Sequence, residues 1–200
     1  MKNNLIIFIK AWLAGICITI GCNVYIACDN KYIGAFLFSI GLITILLFDL
    51  NLYTGKVGYA IYNNITYLKD LVIILLGNVI GCICVGVMFP SEGVQILCET
   101  KLQESFTTIL FKSIMCGCLM YIAVDTYKTY HTLLPTILCI PTFILSGYEH
   151  SIADIAYFMI SRTITLQSFL FIIIVIIGNA VGGLLIPVCV KLINQSNNTK

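Results

Sequence analysis

An all-α integral membrane protein is the fold class this 200-residue sequence predicts, and three observations predict it. Hydrophobic side chains make up 60% of the chain and charged ones 10%, with a mean hydropathy of +1.01. Ordinary soluble domains carry about 25% charged residues, so too few polar side chains are present to cover a water-facing surface. Apolar runs long enough to cross a bilayer recur along the chain. A short Gly-Asn motif appears twice, about half a chain apart. A soluble enzyme, a nucleic-acid-binding protein and a disordered protein are excluded together, and a net charge of +2 implies no acidic partner. The expected surroundings are a lipid bilayer.

The first apolar run, about 5–28, exceeds the 7–15 residues of a signal-peptide core and lacks a convincing small-residue cleavage site, so it reads as a retained span. Further runs follow at about 33–49 (continuing weakly to 63), 70–90, 105–124, 132–146 (continuing to 161) and 166–190. This gives six spans, the second and fifth interrupted. With the N-terminus inside, Lys2, Lys69, Lys128, Lys191 and Lys200 fall in inner segments. Lys31, Lys101 and Arg162 fall in outer ones, beside Asp29, Glu92, Glu99 and Glu104. That bias places both termini in the cytoplasm. The polar tail 194–200 is expected to fray. Most of the ten cysteines lie in apolar runs, where they act as small hydrophobes. Neither Cys-x-Cys pair has the spacing of a zinc site, so no metal or cofactor is expected.

Gly77-Asn78-Val79-Ile80-Gly81 in the third span recurs as Gly178-Asn179-Ala180-Val181-Gly182 in the sixth. Small residues four apart let helices approach closely, and an Asn can bond between them. The interruptions, 49–56 and 146–154, fall at similar places in the two halves. Three spans per half force the halves into opposite orientations. Broken helices at corresponding positions of inverted repeats point to a transport site near the midplane. Irregular backbone at that depth must be buried in protein or line a cavity. The chain reads as a single channel or transporter domain over 1–200, with repeats of about 4–90 and 100–192.

Ionisable groups inside a membrane each ask for an explanation. His150, beside Glu149 and Ser151, is either a proton relay or a residue that caps and ties down its loop. Glu149 reads mainly as loop support, because a buried carboxylate needs partners. Thr54 and Ser151 are N-caps or pore-facing hydroxyls. Lys101 is a snorkelling lysine or a cation that concentrates anions at a pore mouth. Tyr53 and Phe143, close to the interruptions, can line constrictions.

Gly147-Tyr148-Glu149-His150-Ser151-Ile152-Ala153-Asp154 closely resembles the Gly-Phe-Glu-His-Ser-Ile-Ala-Asn signature of the formate/nitrite transporter family. Asn51-Leu52-Tyr53-Thr54-Gly55, after Phe38-Ser39-Ile40-Gly41-Leu42, looks like that family's first broken-helix signature. Lys101, Ser105 and Phe106 resemble the opening of its fourth helix. The resemblance implies a homopentamer of aquaporin-like protomers, each with a pore for small monovalent anions such as formate, nitrite or hydrosulfide. Carried onto this chain, Leu42 and Tyr53 belong to the cytoplasm-side constriction and Phe143 to the other. Thr54 and His150 face each other between them, with Asn51 among the loop-supporting residues and Lys101 as the vestibule cation. The anion is expected to move as its neutral acid or with a proton. A short segment before the first span suggests a permanently open pore.

Several positions depart from the family pattern. Tyr53 replaces a Phe, Gly117 an Asn that could orient His150, Asp125 a Trp, and Lys56 and Asp154 two Asn residues. Lys56 and Asp154 are expected either to pair, since lone buried charges are costly, or to point separately to solvent. A neutral-solute channel for water, urea or ammonia is the competing function. A membrane enzyme or scaffold is disfavoured, because no nucleophile–base pair, metal cluster or nucleotide loop is present.

Overall fold

The computed structural model describes residues 2–197, so Lys200, used in the orientation count, lies outside them. The described residues form helices α1 (Lys2–Ala27), α2 (Lys31–Leu47), α3 (Tyr53–Lys56), α4 (Tyr67–Met88), α5 (Gln95–Leu102), α6 (Phe106–Tyr130), α7 (Leu134–Leu145), α8 (Ser151–Ser161) and α9 (Leu166–Asn197). Short 3-10 turns cover Val57–Tyr62 and Glu92–Val94. Helix α9 continues through Asn197, so 194–197 are helical where fraying was expected. Four helices are long and apolar enough to cross a membrane: Asn3–Ala27, Tyr67–Met88, Phe106–Tyr130 and Leu166–Ser196.

The helix ends follow local chemistry. Asn30 caps α2 by accepting from the backbone N–H groups of Tyr32 and Ile33, and Ser105 caps α6 by accepting from that of Thr108. Helix α2 stops at Leu47 and α7 at Leu145 by the same device. Asp49 and Gly147 adopt left-handed backbone, with φ of 47° and 65°. Leu50 N–H then reaches back to Ile45 O at 2.8 Å, and Tyr148 N–H to Phe143 O at 2.9 Å. This Schellman geometry satisfies carbonyls that a stopped helix would orphan. Extended residues follow in each case, Leu52 before α3 and His150 before α8.

Packing explains the repeated glycine motif. Helix α1 lies along α4 and α6 along α9. A Cβ on Gly81 would collide with the carbonyl of Trp12, and one on Gly182 with that of Ile114. Only glycine allows the backbones to come this close. Helices α2 and α7 face one another across the centre, where Phe38, Leu42 and Ile140 are fully buried. Large apolar side chains cover outward faces, among them Leu13 and Ile20 on α1 and Ile173, Ile177 and Val181 on α9. Such belts are unsuited to water.

Two features depart from the sequence expectations. Lys101, placed at the outer end of the fourth span, sits on the separate helix α5, which stops before Ser105 starts α6. All ten cysteines are free thiols, yet Cys84 and Cys189 are exposed. An apolar run alone does not say which face of its helix is turned inward.

Candidate functional site

The irregular segments 48–52 and 146–150 carry backbone groups that no helix satisfies, and one buried asparagine serves each. Asn78 accepts from Tyr53 N–H at 2.9 Å and donates to the carbonyls of Ala11 (2.7 Å) and Asn51 (2.8 Å). Asn179 accepts from Ser151 N–H at 2.8 Å and donates to the carbonyls of Ser113 (2.9 Å) and Glu149 (2.8 Å). Each amide thus uses its one acceptor and both donors, holding the start of a helix, the end of the preceding segment and a neighbouring long helix together. In the sequence these asparagines stand only as packing signals within the Gly-Asn motif. The demand that irregular backbone be satisfied was the signal that could have singled them out.

Tied in this way, α3 and α8 bring Thr54 and His150 together. Thr54 Oγ1 lies 2.9 Å from His150 Nε2, and both residues are buried. His150 is also the N-cap of α8, its Nδ1 accepting from Ala153 N–H at 3.2 Å. An acceptor at Nδ1 puts the proton of the neutral ring on Nε2, which therefore donates to Thr54 Oγ1. The relay and capping readings of His150 thus bear on the same ring. Phe143 stacks on that ring with centroids 5.6 Å apart, and Phe38 packs edge-on against Phe143 at 5.8 Å. Leu42 and Tyr53 are buried in the same core. Around the polar pair the walls are apolar.

The supporting residues divide their tasks. The Asn51 side chain reaches Ile7 O at 3.4 Å and ties its segment to α1. Ser151 contributes its N–H to Asn179, while its hydroxyl is buried without a partner. Gly117, where an amide was expected to be missed, lies against the backbone of Asn179, and a Cβ there would clash with it. His150 is oriented by Thr54 and its own helix instead. Asp125 accepts from the Tyr59 hydroxyl at 2.9 Å.

The charged residues correct one expectation. Lys56 and Asp154 do not pair with each other. Lys56 Nζ is 3.8 Å from Asp49, seven residues back along the same segment, and Asp49 also binds Lys10 at 2.7 Å. Asp154 lies 3.0 Å from Lys101, which also bonds Glu149. Each charge has a closer partner at its own end of the site, and Asp154 is buried rather than solvated. Lys101, expected in an open vestibule, is only 11% exposed because these two carboxylates enclose it. The role of Lys10 as partner of Asp49 was invisible in the sequence, since it spans 39 positions.

Two cavities approach the polar pair. One of about 320 Å³ is lined by Gly55, next to Thr54, with Asp49, Lys56, Val124, Lys128 and His131. The other, about 60 Å³, is lined by Lys101, Phe143, Ala153 and Asp154 together with Tyr25 and Tyr157. A polar pair set between apolar walls in a bundle of membrane-length helices, with a cavity near each partner, defines a membrane channel or transporter.

The family follows from comparison of the whole chain. A family model described as formate/nitrite transporter matches residues 2–193, and the chain belongs to that family. No curated protein sequence matches it. Among solved structures it is similar to one described as an FNT family ion channel, with a TM-score of 0.82 and 22% identity over 92% of this chain and 87% of that one. It is also similar to a pentameric formate channel with formate bound, with a TM-score of 0.76 and 21% identity over 100% and 99% of the two chains. At these identities the likeness concerns the fold.

Proposed function

We propose that this membrane protein conducts small monovalent anions (formate, nitrite, hydrosulfide or similar), moved as the neutral acid or together with a proton. One observation carries the proposal: the Thr54–His150 hydrogen bond, buried in the core beside Phe143, is set by two matching irregular segments. The two segments join α2 to α3 and α7 to α8 as interrupted spans. Together with α1, α4, α6 and α9 they make six spans in two inverted, aquaporin-like repeats, about 4–90 and 100–192, within one pore domain over 1–200. The similar pentameric formate channel supports a homopentamer. Each protomer carries its own pore in the cell membrane, and the lysine bias of the connections puts both termini in the cytoplasm.

A bare anion crosses apolar constrictions at high cost, because burying a charge is far more expensive than burying a neutral acid. Leu42 and Tyr53 form one constriction and Phe143 the other. Between them, Thr54 and His150 offer hydrogen bonds to a small acid that has shed its water. Lys101 holds the anion near Phe143, while Lys56 and Lys128 raise anion concentration in the larger cavity. The proton reaches the anion from solvent or from an acidic group at the site, since both ring nitrogens of His150 are already engaged. Glu149, Asn51 and Ser151 keep the segments in place.

The alternative, a neutral-solute channel, draws support from the pairing of Lys101 with two carboxylates, which leaves no free cation there. Stopped-flow uptake into proteoliposomes containing a pH dye separates the two. Formate or nitrite entry that acidifies the lumen and grows as pH falls, with urea excluded, supports the anion reading. Urea entry without a pH change refutes it.

A further inference from the structure

The charges beside Phe143 do not balance. Lys101 Nζ bonds Glu149 Oε2 and lies 3.0 Å from Asp154 Oδ1, and both carboxylate side chains are 2% exposed. With all three ionised the cluster carries one excess negative charge. Asp154 Oδ2 is meanwhile buried with no hydrogen-bond partner. The titratable groups facing Asp154 are Cys22 and Tyr25 on α1, Cys98 and Lys101 on α5, Cys116 on α6, and Glu149 and Tyr157 from its own segment and helix. Lys101 is the one cation among them. The start of α8 favours a negative charge nearby, and Glu149 already provides one. Two carboxylates sharing one site and one cation hold a proton between them.

The proton's place follows from the contacts. Both carboxylates contact Lys101, and of the two only Asp154 has an oxygen buried without a hydrogen-bond partner. The unpartnered oxygen belongs to Asp154, where a hydroxyl replaces an unsolvated anion. His150 is poorly suited to donate: its neutral ring has a single proton, and a second at Nδ1 would displace the Ala153 N–H that caps α8.

We propose that Asp154 holds a proton in the resting channel and passes it to an anion arriving beside Lys101, so that the Phe143 constriction receives the neutral acid. The inference rests on the anion-channel reading and names its proton donor. The Asp154 O–H bond breaks as an O–H (or, for hydrosulfide, S–H) bond forms on the substrate. The carboxylate left behind shares Lys101 with Glu149 until solvent returns a proton to it. The adjoining cavity of about 60 Å³ has room for a water or an anion of a few atoms.

Infrared difference spectroscopy of the reconstituted protein tests the resting proton without transport. The wild type is expected to show a protonated-carboxyl band that shifts on labelling aspartate with carbon-13 at its side-chain carboxyl and vanishes in Asp154→Asn. A band that ignores the label, or persists in Asp154→Asn, overturns the assignment. Formate uptake tests the transfer. Asp154→Asn, matched in shape, is expected to slow uptake at neutral pH by roughly 100-fold and to flatten its pH profile, while eluting as the same oligomer. An unchanged rate and profile overturns the transfer. Wild-type protein that moves no anion at any pH but keeps the labelled band refutes the channel reading and the transfer, and leaves the resting proton standing.

Discussion

Replacing Asn179 by alanine should be one of the two most damaging single truncations of a polar side chain in the site. The amide makes three bonds, to Ser151 N–H, Ser113 O and Glu149 O, all between 2.8 and 2.9 Å and fully buried. Side-chain hydrogen bonds between membrane helices average about 0.6 kcal/mol and typical protein ones about 1 kcal/mol, with an unsatisfied buried donor costing about 1–3 kcal/mol. Three such bonds, one of them leaving the Ser151 N–H bare, place the loss at roughly 2–4 kcal/mol. Asn78→Ala should cost a similar amount, because Asn78 makes the corresponding three bonds to Tyr53 N–H, Ala11 O and Asn51 O. Equilibrium unfolding in mixed micelles measures both, and formate uptake should fall in parallel. If either variant stays within about 0.5 kcal/mol of wild type, the two segments are held by something other than these amides, and the account of the site fails.

Three other outcomes follow from the same geometry. Thr54→Val removes the acceptor for His150 Nε2 and should lower both stability, by about 1–3 kcal/mol, and uptake; Thr54→Ser should restore most of each, and a Val variant equal to wild type would remove Thr54 from the pathway. Lys56→Met and Asp154→Asn should act additively on stability, within about 0.5 kcal/mol, because their partners are Asp49 and Lys101; mutual rescue in the double variant would restore the pair the structure rejects. Gly182→Ala should destabilise by about 1–3 kcal/mol through overpacking, since its Cβ would strike the Ile114 carbonyl, and a neutral thermal shift would mean α6 and α9 can separate freely.

The long helices were legible because lipid-length apolar runs are a one-dimensional property. So were His150 and Thr54, whose neighbours resemble known signatures. Charge partners were not, because pairing depends on where three-dimensional packing carries each side chain. Lys56 looked as though it needed Asp154, yet Asp49 was already within reach once its left-handed backbone turned the segment. Lys101 could not be seen folding over Glu149 from 48 positions away. The Gly-Asn motif showed close packing, but the asparagines' second task emerged only with the segments they bind.

The cap on α8 has a consequence for what an empty pore lets through. Hydronium-style conduction needs each station to accept a proton on one side and release one on the other. At His150 one ring nitrogen is committed to a backbone N–H and the other to a threonine. A proton arriving alone finds no vacant lone pair without unfastening the first turn of a helix. In the proposed channel, acid can therefore cross as a molecule while the membrane stays sealed to free protons, and a proton crosses only in the company of the anion that carries it.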